Sequence, residues 1–187
     1  MKLKKIIVIL IMQVSMIPAL FSQVWDDNFV GIDSLYHPLG GVINLNDFYN
    51  YNDSILFIAG SFSKVNNFDA NGIISWNTDT IKTYQLGVEW GLIKAVHIYK
   101  DTLYIGGTFN SASGVPNTAR LAIWNGVNWK GPVLGQIDSE VYDFVIYQNK
   151  LFISGRFGHI GSFVCDKIVA YNGENWINVG SFGMWAS

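Results

Sequence analysis

A short segment that ends in glycine recurs three times along the chain at almost constant spacing. It reads LFIAG at Leu56 to Gly60, LYIGG at Leu103 to Gly107 and LFISG at Leu151 to Gly155, so the copies begin 47 and 48 residues apart. A large aromatic residue keeps the same period, at Trp76, Trp124 and Tyr171. A period of this length predicts a row of equivalent structural units that bury their apolar faces against one another.

Each unit is predicted to contain four short strands. In the second unit, Ala95 to Tyr99 and Leu103 to Gly107 alternate around a tight turn at Lys100-Asp101. Leu121 to Trp124 then precedes Asn125-Gly126, a strong hairpin signal that leads to a fourth strand. Four antiparallel strands per period are typical of one β-propeller blade. The predicted fold class is therefore all-β, a β-propeller with about three four-stranded antiparallel blades and an incomplete ring.

The turns of the other units are predicted by alignment with the second. Asn52-Asp53 and Asn149-Lys150 correspond to the tight turn between the first two strands. Asn172-Gly173 repeats the second hairpin signal, whereas the first unit has Asn77 to Ile81 in its place. The sequence therefore predicts a turn of another type in the first unit.

The chain opens with the pattern of a secretory signal peptide. Three lysines, Lys2, Lys4 and Lys5, precede an apolar core from Ile6, and small residues lead to an expected cleavage after Ser22. The apolar run is interrupted by polar residues and is shorter than the roughly 20 residues of a membrane span. We expect an exported protein with no stable membrane span after signal removal, in the periplasm, at the cell surface or outside a Gram-negative bacterium.

Domain boundaries follow from the signal peptide and the repeats. Residues 1–22 form the signal peptide, and residues 23–44 form an irregular segment in which Trp25 to Val30 is a candidate closing strand. Residues 45–187 hold the three repeats, at about 45–90, 93–137 and 141–182. The third repeat ends where the first strand of another unit is expected, so we hypothesise an N-terminal fragment of a longer propeller protein, with closure by oligomerisation as the alternative.

Charge and cysteine content exclude several functions. Removal of the three leader lysines leaves nine basic and 14 acidic residues, a net charge of about −5, which disfavours nucleic acid as a partner. Cys165 is the only cysteine in the chain, so an intrachain disulfide is impossible. We expect it to be a buried small hydrophobe.

The repeat resembles a known family of repeats. The diglycine Gly106-Gly107, with the aromatic pair Trp124 and Trp129, is similar to the kelch repeat. A closer resemblance is to a secreted bacterial kelch-like β-propeller repeat, LYVGGxFxxxGGxxxxxIAxWNGxxW, of the kind found in proteins with a type IX secretion sorting domain. The resemblance implies an exported β-propeller, although only the second unit keeps both glycines and no sorting domain is visible.

Long loops on one face of such a propeller are the expected place for recognition. They join the second strand of each unit to the third and carry polar residues that suit a protein or glycan ligand. The candidate ligand face comprises Asn67, Asp69, Asn117, Arg120, Arg156 and His159. Solvated loop residues have the same composition, which is the alternative interpretation.

No catalytic, cofactor or metal motif is recognisable in the sequence. Asp47 and Asp143 occupy matching positions in the innermost strands and suggest a cation in a central channel, with solvated or backbone-capping aspartates as the alternative. His97 lies where Tyr49 and Val145 stand in the other units, which favours a packing role. The diglycine and the phenylalanines Phe62, Phe109 and Phe157 are explained by close backbone approach and by packing between units.

Two functional classes remain. The favoured one is an exported, non-catalytic propeller module, a scaffold, adhesion or ligand-binding part of a surface protein. The alternative is the propeller portion of a secreted carbohydrate-active or galactose-oxidase-like enzyme whose catalytic residues are not in this chain. In either class, the expected partners include the missing blades, supplied by the rest of the chain or by an oligomer.

Overall fold

The computed structural model describes residues 35–36, 43–77 and 79–180, and all of its regular structure there is β-strand. The all-β prediction is confirmed. The signal peptide, the candidate strand Trp25 to Val30 and the end of the third repeat lie outside the described residues. The strands are β1 Leu35–Tyr36, β2 Asn44–Tyr51, β3 Ile55–Ser61, β4 Lys64–Val65, β5 Phe68–Asp69, β6 Ile73–Trp76, β7 Ile81–Thr83, β8 Val88–Glu89, β9 Ile93–Tyr99, β10 Thr102–Gly107, β11 Ser111–Ala112, β12 Leu121–Trp124, β13 Trp129–Lys130, β14 Val141–Tyr147, β15 Lys150–Gly155, β16 His159–Ile160, β17 Phe163–Val164, β18 Ile168–Tyr171 and β19 Trp176–Asn178.

Twelve of these strands form three antiparallel sheets of four strands each. Sheet I has the order β2-β3-β6-β7, sheet II the order β9-β10-β12-β13 and sheet III the order β14-β15-β18-β19. The remaining strands form small sheets, β1-β4-β5, β8-β11 and β16-β17. The registers of the large sheets match, because Leu56 pairs with Trp76, Leu103 with Trp124 and Leu151 with Tyr171. Each large sheet is therefore an antiparallel meander, in which the small strands β4, β5, β11, β16 and β17 lie in the connections between the second and third strands.

Left-handed backbone conformations form the turns between the first two strands of sheets II and III. Lys100 and Asp101 have φ of 48° and 55°, and Gln148 and Asn149 have φ of 47° and 56°. These pairs match the two-residue hairpin turns that require positive φ at both positions. The predicted turn at Asn149-Lys150 is therefore wrong by one residue, because Lys150 begins β15 and pairs with Tyr147.

An asparagine side chain closes each loop between the third and fourth strands. Asn125 Oδ1 accepts hydrogen bonds from the amides two and three residues further on, and Asn172 repeats this arrangement. In sheet I, Asn77 Oδ1 accepts from the amides of Asp79 and Thr80 at 3.0 and 2.7 Å. The same capping asparagine thus closes all three loops. Thr78, which stands in place of Gly126 and Gly173, lies outside the described residues, so the turn type of the first unit stays a prediction.

The second glycine of each repeat lies where two backbones meet. A Cβ on Gly107 would overlap the carbonyl oxygen of Leu92, and one on Gly155 would overlap that of Glu140. Gly60 has the same relation to Asn44. The preceding position tolerates a side chain, as Ala59 and Ser154 show at the places equivalent to Gly106. Close backbone approach therefore explains why this second glycine recurs in every copy.

Sheet II is buried on both of its faces. Its residues facing sheet I include Val96, Ile98 and Leu103, and those facing sheet III include Ala95 and Tyr99. Phe109 and Phe157 are fully buried in these two interfaces, and Phe62 is buried on the other side of sheet I. The predicted burial of these three phenylalanines is confirmed, but Phe62 packs against its own repeat and the segment before it rather than between two repeats.

The two outer faces of the stack differ. On sheet I, Ile58 and Ile74 are buried beneath Val65 of β4 and Leu35 of β1. On sheet III, Val145 and Tyr147 of the first strand are 55% and 61% exposed. None of the strands in the described residues packs on that face of sheet III. Likewise, none of the described residues forms a helix that is long and apolar enough to cross a membrane.

Truncation of Phe109 tests the packing between sheets I and II. We expect Phe109→Ala to lower the free energy of unfolding by about 3 to 5 kcal/mol, because the ring is fully buried and leaves a cavity. The measurement is urea or thermal unfolding followed by circular dichroism. Phe68→Ala is the matched control, since this ring is 57% exposed and should cost little. An unchanged melting temperature for Phe109→Ala would contradict the packing.

Candidate functional site

The meander order gives the three sheets two different ends. The turns between the first and second strands and between the third and fourth strands lie at one end, which we call the turn end. The connections between the second and third strands lie at the opposite end, which we call the loop end. These connections are long and contain the small strands β4, β5, β11, β16 and β17. All six residues of the predicted ligand face belong to the loop end.

The six candidates are at least partly exposed, but they lie in three separate loops. Asn67 and Asp69 belong to the loop of sheet I, Asn117 and Arg120 to that of sheet II, and Arg156 and His159 to that of sheet III. All six are among the described residues, where no hydrogen bond or ion pair joins any two of them. The structure therefore does not bring them together as one cluster.

Several of the six have contacts that hold the loops in place. Asp69 forms an ion pair with Lys64 across the β4–β5 hairpin at 2.9 Å. Asn117 and Arg120 have φ of 61° and 64°, and the Arg120 amide donates to the carbonyl of Phe109. These contacts give a structural reason for part of the polar loop sequence.

His159 belongs to a polar cluster with Asp138, a residue that sequence reasoning missed. His159 Nδ1 lies 3.0 Å from Asp138 Oδ2, and the amide of Gly158 donates to Asp138 Oδ1 at 2.9 Å. Burial raises the pKa of Asp138, but the hydrogen bonds from His159 and Gly158 outweigh it, so the pKa lies below the ordinary value for aspartate. The carboxylate form of Asp138 is therefore the one that the loop stabilises.

A second charged contact joins sheets II and III near the loop end. Lys94 Nζ lies 2.9 Å from Glu140 Oε2 and 4.4 Å from the ring centroid of Tyr142. The hydrogen bond from Lys94 lowers the pKa of Glu140. The amide of Arg156 donates to the carbonyl of Glu140, so one end of this contact is fixed to the loop that carries Arg156. Lys94 and Glu140 are 46 residues apart along the chain, so their contact depends on the relative position of sheets II and III.

Asp47 and Asp143 cap backbone amides. Asp47 accepts from the amide of Phe48 and, across to sheet II, from that of Val96, at 2.8 and 2.7 Å. Asp143 accepts from the amide of Phe144 at 2.8 Å. These contacts correspond to the backbone-capping alternative, and burial raises the pKa of Asp47. Within the described part of the chain, no group of three histidine, cysteine, aspartate or glutamate side chains is arranged to hold a metal ion.

The remaining reactive side chains have packing roles. The His97 ring lies against Tyr49 of sheet I, with ring centroids 4.3 Å apart, and burial lowers the pKa of His97. Cys165 is buried in the interface between sheets II and III, as predicted, and burial raises the pKa of its thiol to about 11. A neutral, buried thiol is a poor nucleophile.

Comparison with protein-family models, curated proteins and solved structures finds no match.

The Asp138–His159 contact predicts that the free energy of unfolding falls at acidic pH. Because the folded state holds the pKa of Asp138 below its unfolded value, its contribution is present above about pH 4 and is lost as the pH falls through the folded pKa. Both side chains are largely exposed, so the contribution should be at most about 1 kcal/mol. Urea unfolding between about pH 5 and pH 3 should show a smaller loss for Asp138→Asn than for the unaltered chain. Parallel curves for the two proteins would contradict the assignment.

Proposed function

We propose that the protein is an exported, non-catalytic module of the β-propeller type, in which sheets I, II and III are successive blades. It serves as a scaffold or ligand-binding part of a surface protein. Support comes from three equivalent meanders. The first strand of the middle sheet, β9, contacts the first strands of both neighbours, β2 and β14. The observation that carries the proposal is a tyrosine contact that recurs from one sheet to the next, together with a carboxylate contact between sheets I and II whose equivalent carboxylate is present on sheet III.

The first recurring contact is made by a tyrosine at the end of each first strand. Tyr51 donates to Asp101 Oδ1 at 2.8 Å, and Tyr99 donates to the carbonyl of Asn149 at 2.8 Å. Each tyrosine thus reaches the tight turn of the following sheet, 50 residues later in the chain. Tyr147 is the equivalent residue of sheet III, and its side chain is exposed.

The second contact is the carboxylate of Asp47, which binds an amide of its own strand and one of sheet II. Asp143 occupies the equivalent position in sheet III and repeats the bond within its own strand. Its second carboxylate oxygen accepts no hydrogen bond from the described residues. Sheet III therefore presents an unfilled acceptor, an exposed tyrosine and apolar side chains at the positions that join sheets I and II.

A further sheet of the same construction fits this exposed face. In sheet II, the residue before the amide that Asp47 binds is the uncharged Ala95, so no second carboxylate lies beside Asp47 there. Sheet I of a second copy is a poorer fit, because the equivalent amide of Phe48 is already bound by Asp47 and docking would bring two carboxylates together. The partner that we propose for this face is a four-stranded sheet with a small uncharged residue at the position of Ala95.

In this arrangement the loop end remains open to solvent. The six residues of the predicted ligand face lie there, on loops that the rigid sheets hold. This placement suits contact with a protein or glycan ligand.

A tandem variant tests the exposed face of sheet III, which carries Asp143, Val145 and Tyr147 and which we call the docking face. A second copy of residues 86–133, placed directly after Gly180, keeps the distance along the chain between successive sheets. We expect Asp143→Ala to cost about 1 to 3 kcal/mol more in the tandem variant than in the original chain, because only the tandem variant supplies an amide to the second carboxylate oxygen. Tyr147→Phe should likewise destabilise the tandem variant more than the original chain. Equal effects in the two chains, measured by urea unfolding, would refute the proposed face.

Export is tested separately from the fold. Residues 1–30, fused to a reporter enzyme that is active only outside the cytoplasm, should give active reporter in a Gram-negative host, because the three lysines and the apolar core direct secretion. Residues 23–52 fused to the same reporter are the control and should give none. Reporter activity that is equally absent from both fusions would contradict export.

A further inference from the structure

A cavity of about 260 Å³ lies between sheets II and III at the turn end, away from the predicted ligand face. Its walls include Tyr99, Lys100, Thr102, Tyr104, Lys130 and Tyr171. The volume is close to the lower limit for small-molecule sites, which is enough for a single ring with substituents. None of the long loops contributes to it.

The cavity arises from a difference between two equivalent interfaces. Between sheets I and II, Trp124 fills this position and packs against Tyr84 and Trp129, with ring centroids 5.5 and 5.2 Å away. Between sheets II and III, the register places Tyr171 where Trp124 stands. A tyrosine ring is smaller than an indole, and the open volume lies beside it.

The wall of the cavity includes a buried tyrosine, Tyr104. Tyr104 is 5% exposed, and its hydroxyl group forms no hydrogen bond with any residue that the structure describes. Its neighbours Tyr99 and Tyr171 donate their protons to the carbonyls of Asn149 and Gly173. Buried polar groups of this kind are normally paired. The equivalent residue in sheet I is Phe57, which places no hydroxyl group there.

Burial raises the pKa of Tyr104, so the hydroxyl group keeps its proton at neutral pH. It therefore acts as a donor toward whatever occupies the cavity, and the occupant must supply an acceptor.

The positive charge of the cavity wall also favours a ligand that carries hydrogen-bond acceptors. Lys100 and Lys130 both line the cavity, no carboxylate does, and neither lysine forms an ion pair within the described ranges. Lys100 Nζ donates to the carbonyl of Asn172 at 2.7 Å, which holds the ammonium group in place and leaves further protons available. Glu174 follows in the adjoining turn without lining the cavity. Lys100, which Asn172 holds in place, and the exposed Lys130 put two cations beside the Tyr104 ring, and this combination of donors favours an anion.

We propose that this cavity binds a small organic oxyanion, a single sugar or aromatic ring that carries a carboxylate or sulfate group. Tyr104, Lys100 and Lys130 donate to the oxyanion, and the rings of Tyr99 and Tyr171 contact the body of the ligand. The site is separate from the docking face on sheet III, because the cavity lies between sheets II and III, on the opposite side of sheet III.

The test is a titration of the mature chain, residues 23–187, followed by tyrosine resonances in NMR spectra. The probes are glucuronate, benzoate, phenyl sulfate, inorganic sulfate and neutral glucose. At least one of the three organic anions should bind more tightly than inorganic sulfate, and glucose should not bind. The affinity should fall with added salt, since the attraction is between charges. Which organic anion binds best distinguishes a sugar from an aromatic ligand.

Two substitutions identify the site. Tyr104→Phe copies the residue that sheet I carries at this position and should weaken binding by about tenfold or more. Lys130→Gln changes an exposed residue, retains the fold and should weaken binding to a similar degree. Lys64→Gln, at the opposite side of sheet I, is the control and should leave the affinity unchanged. Failure of all three organic anions to bind, equal binding of inorganic sulfate, or unaltered affinity in both variants would overturn the proposal.

Discussion

Burial of apolar sheet faces against neighbouring sheets is the constraint on which the structure depends. A sheet of four short strands cannot enclose a core by itself, and sheet II is apolar on both faces. Val96 and Ile98 need sheet I, whereas Ala95 and Tyr99 need sheet III. Each sheet is consequently expected to be stable only within a stack of such repeats.

Polar contacts fix how the stacked sheets are aligned. Apolar packing is not directional, but the bonds from Asp47 to Val96 and from Tyr51 to Asp101 each join two particular atoms. The tyrosine contact recurs once between sheets II and III, whereas Ala95 stands in place of the carboxylate there. The two interfaces therefore share a geometry while differing in detail, and the cavity beside Tyr171 is one such difference.

The sequence predicted the local elements well where a short pattern determines them. The third strand Leu121–Trp124 is present with the predicted bounds, and Phe109 is buried as its place in the repeat indicated. The turn between β14 and β15 was placed one residue late, because alternation locates a hairpin without fixing its pairing. The neighbours of Asn77 differ from those of Asn125 and Asn172, but the same type of side chain closes all three loops.

The sequence by itself determined the period, the four strands of each unit, the glycine required at each backbone contact and the phenylalanines of the core. These features depend on neighbours within a few residues or on the register inside one sheet. The tertiary structure alone shows that Lys94 meets Glu140 and that Asp47 binds an amide of the next sheet. It also shows that the Tyr104 hydroxyl group, in the wall of the cavity, has no hydrogen-bond partner among the described residues. The hydrogen bonds and ion pairs between neighbouring sheets join groups that lie 46 to 50 residues apart along the chain. Their existence depends on the relative position of whole sheets to within the length of a hydrogen bond.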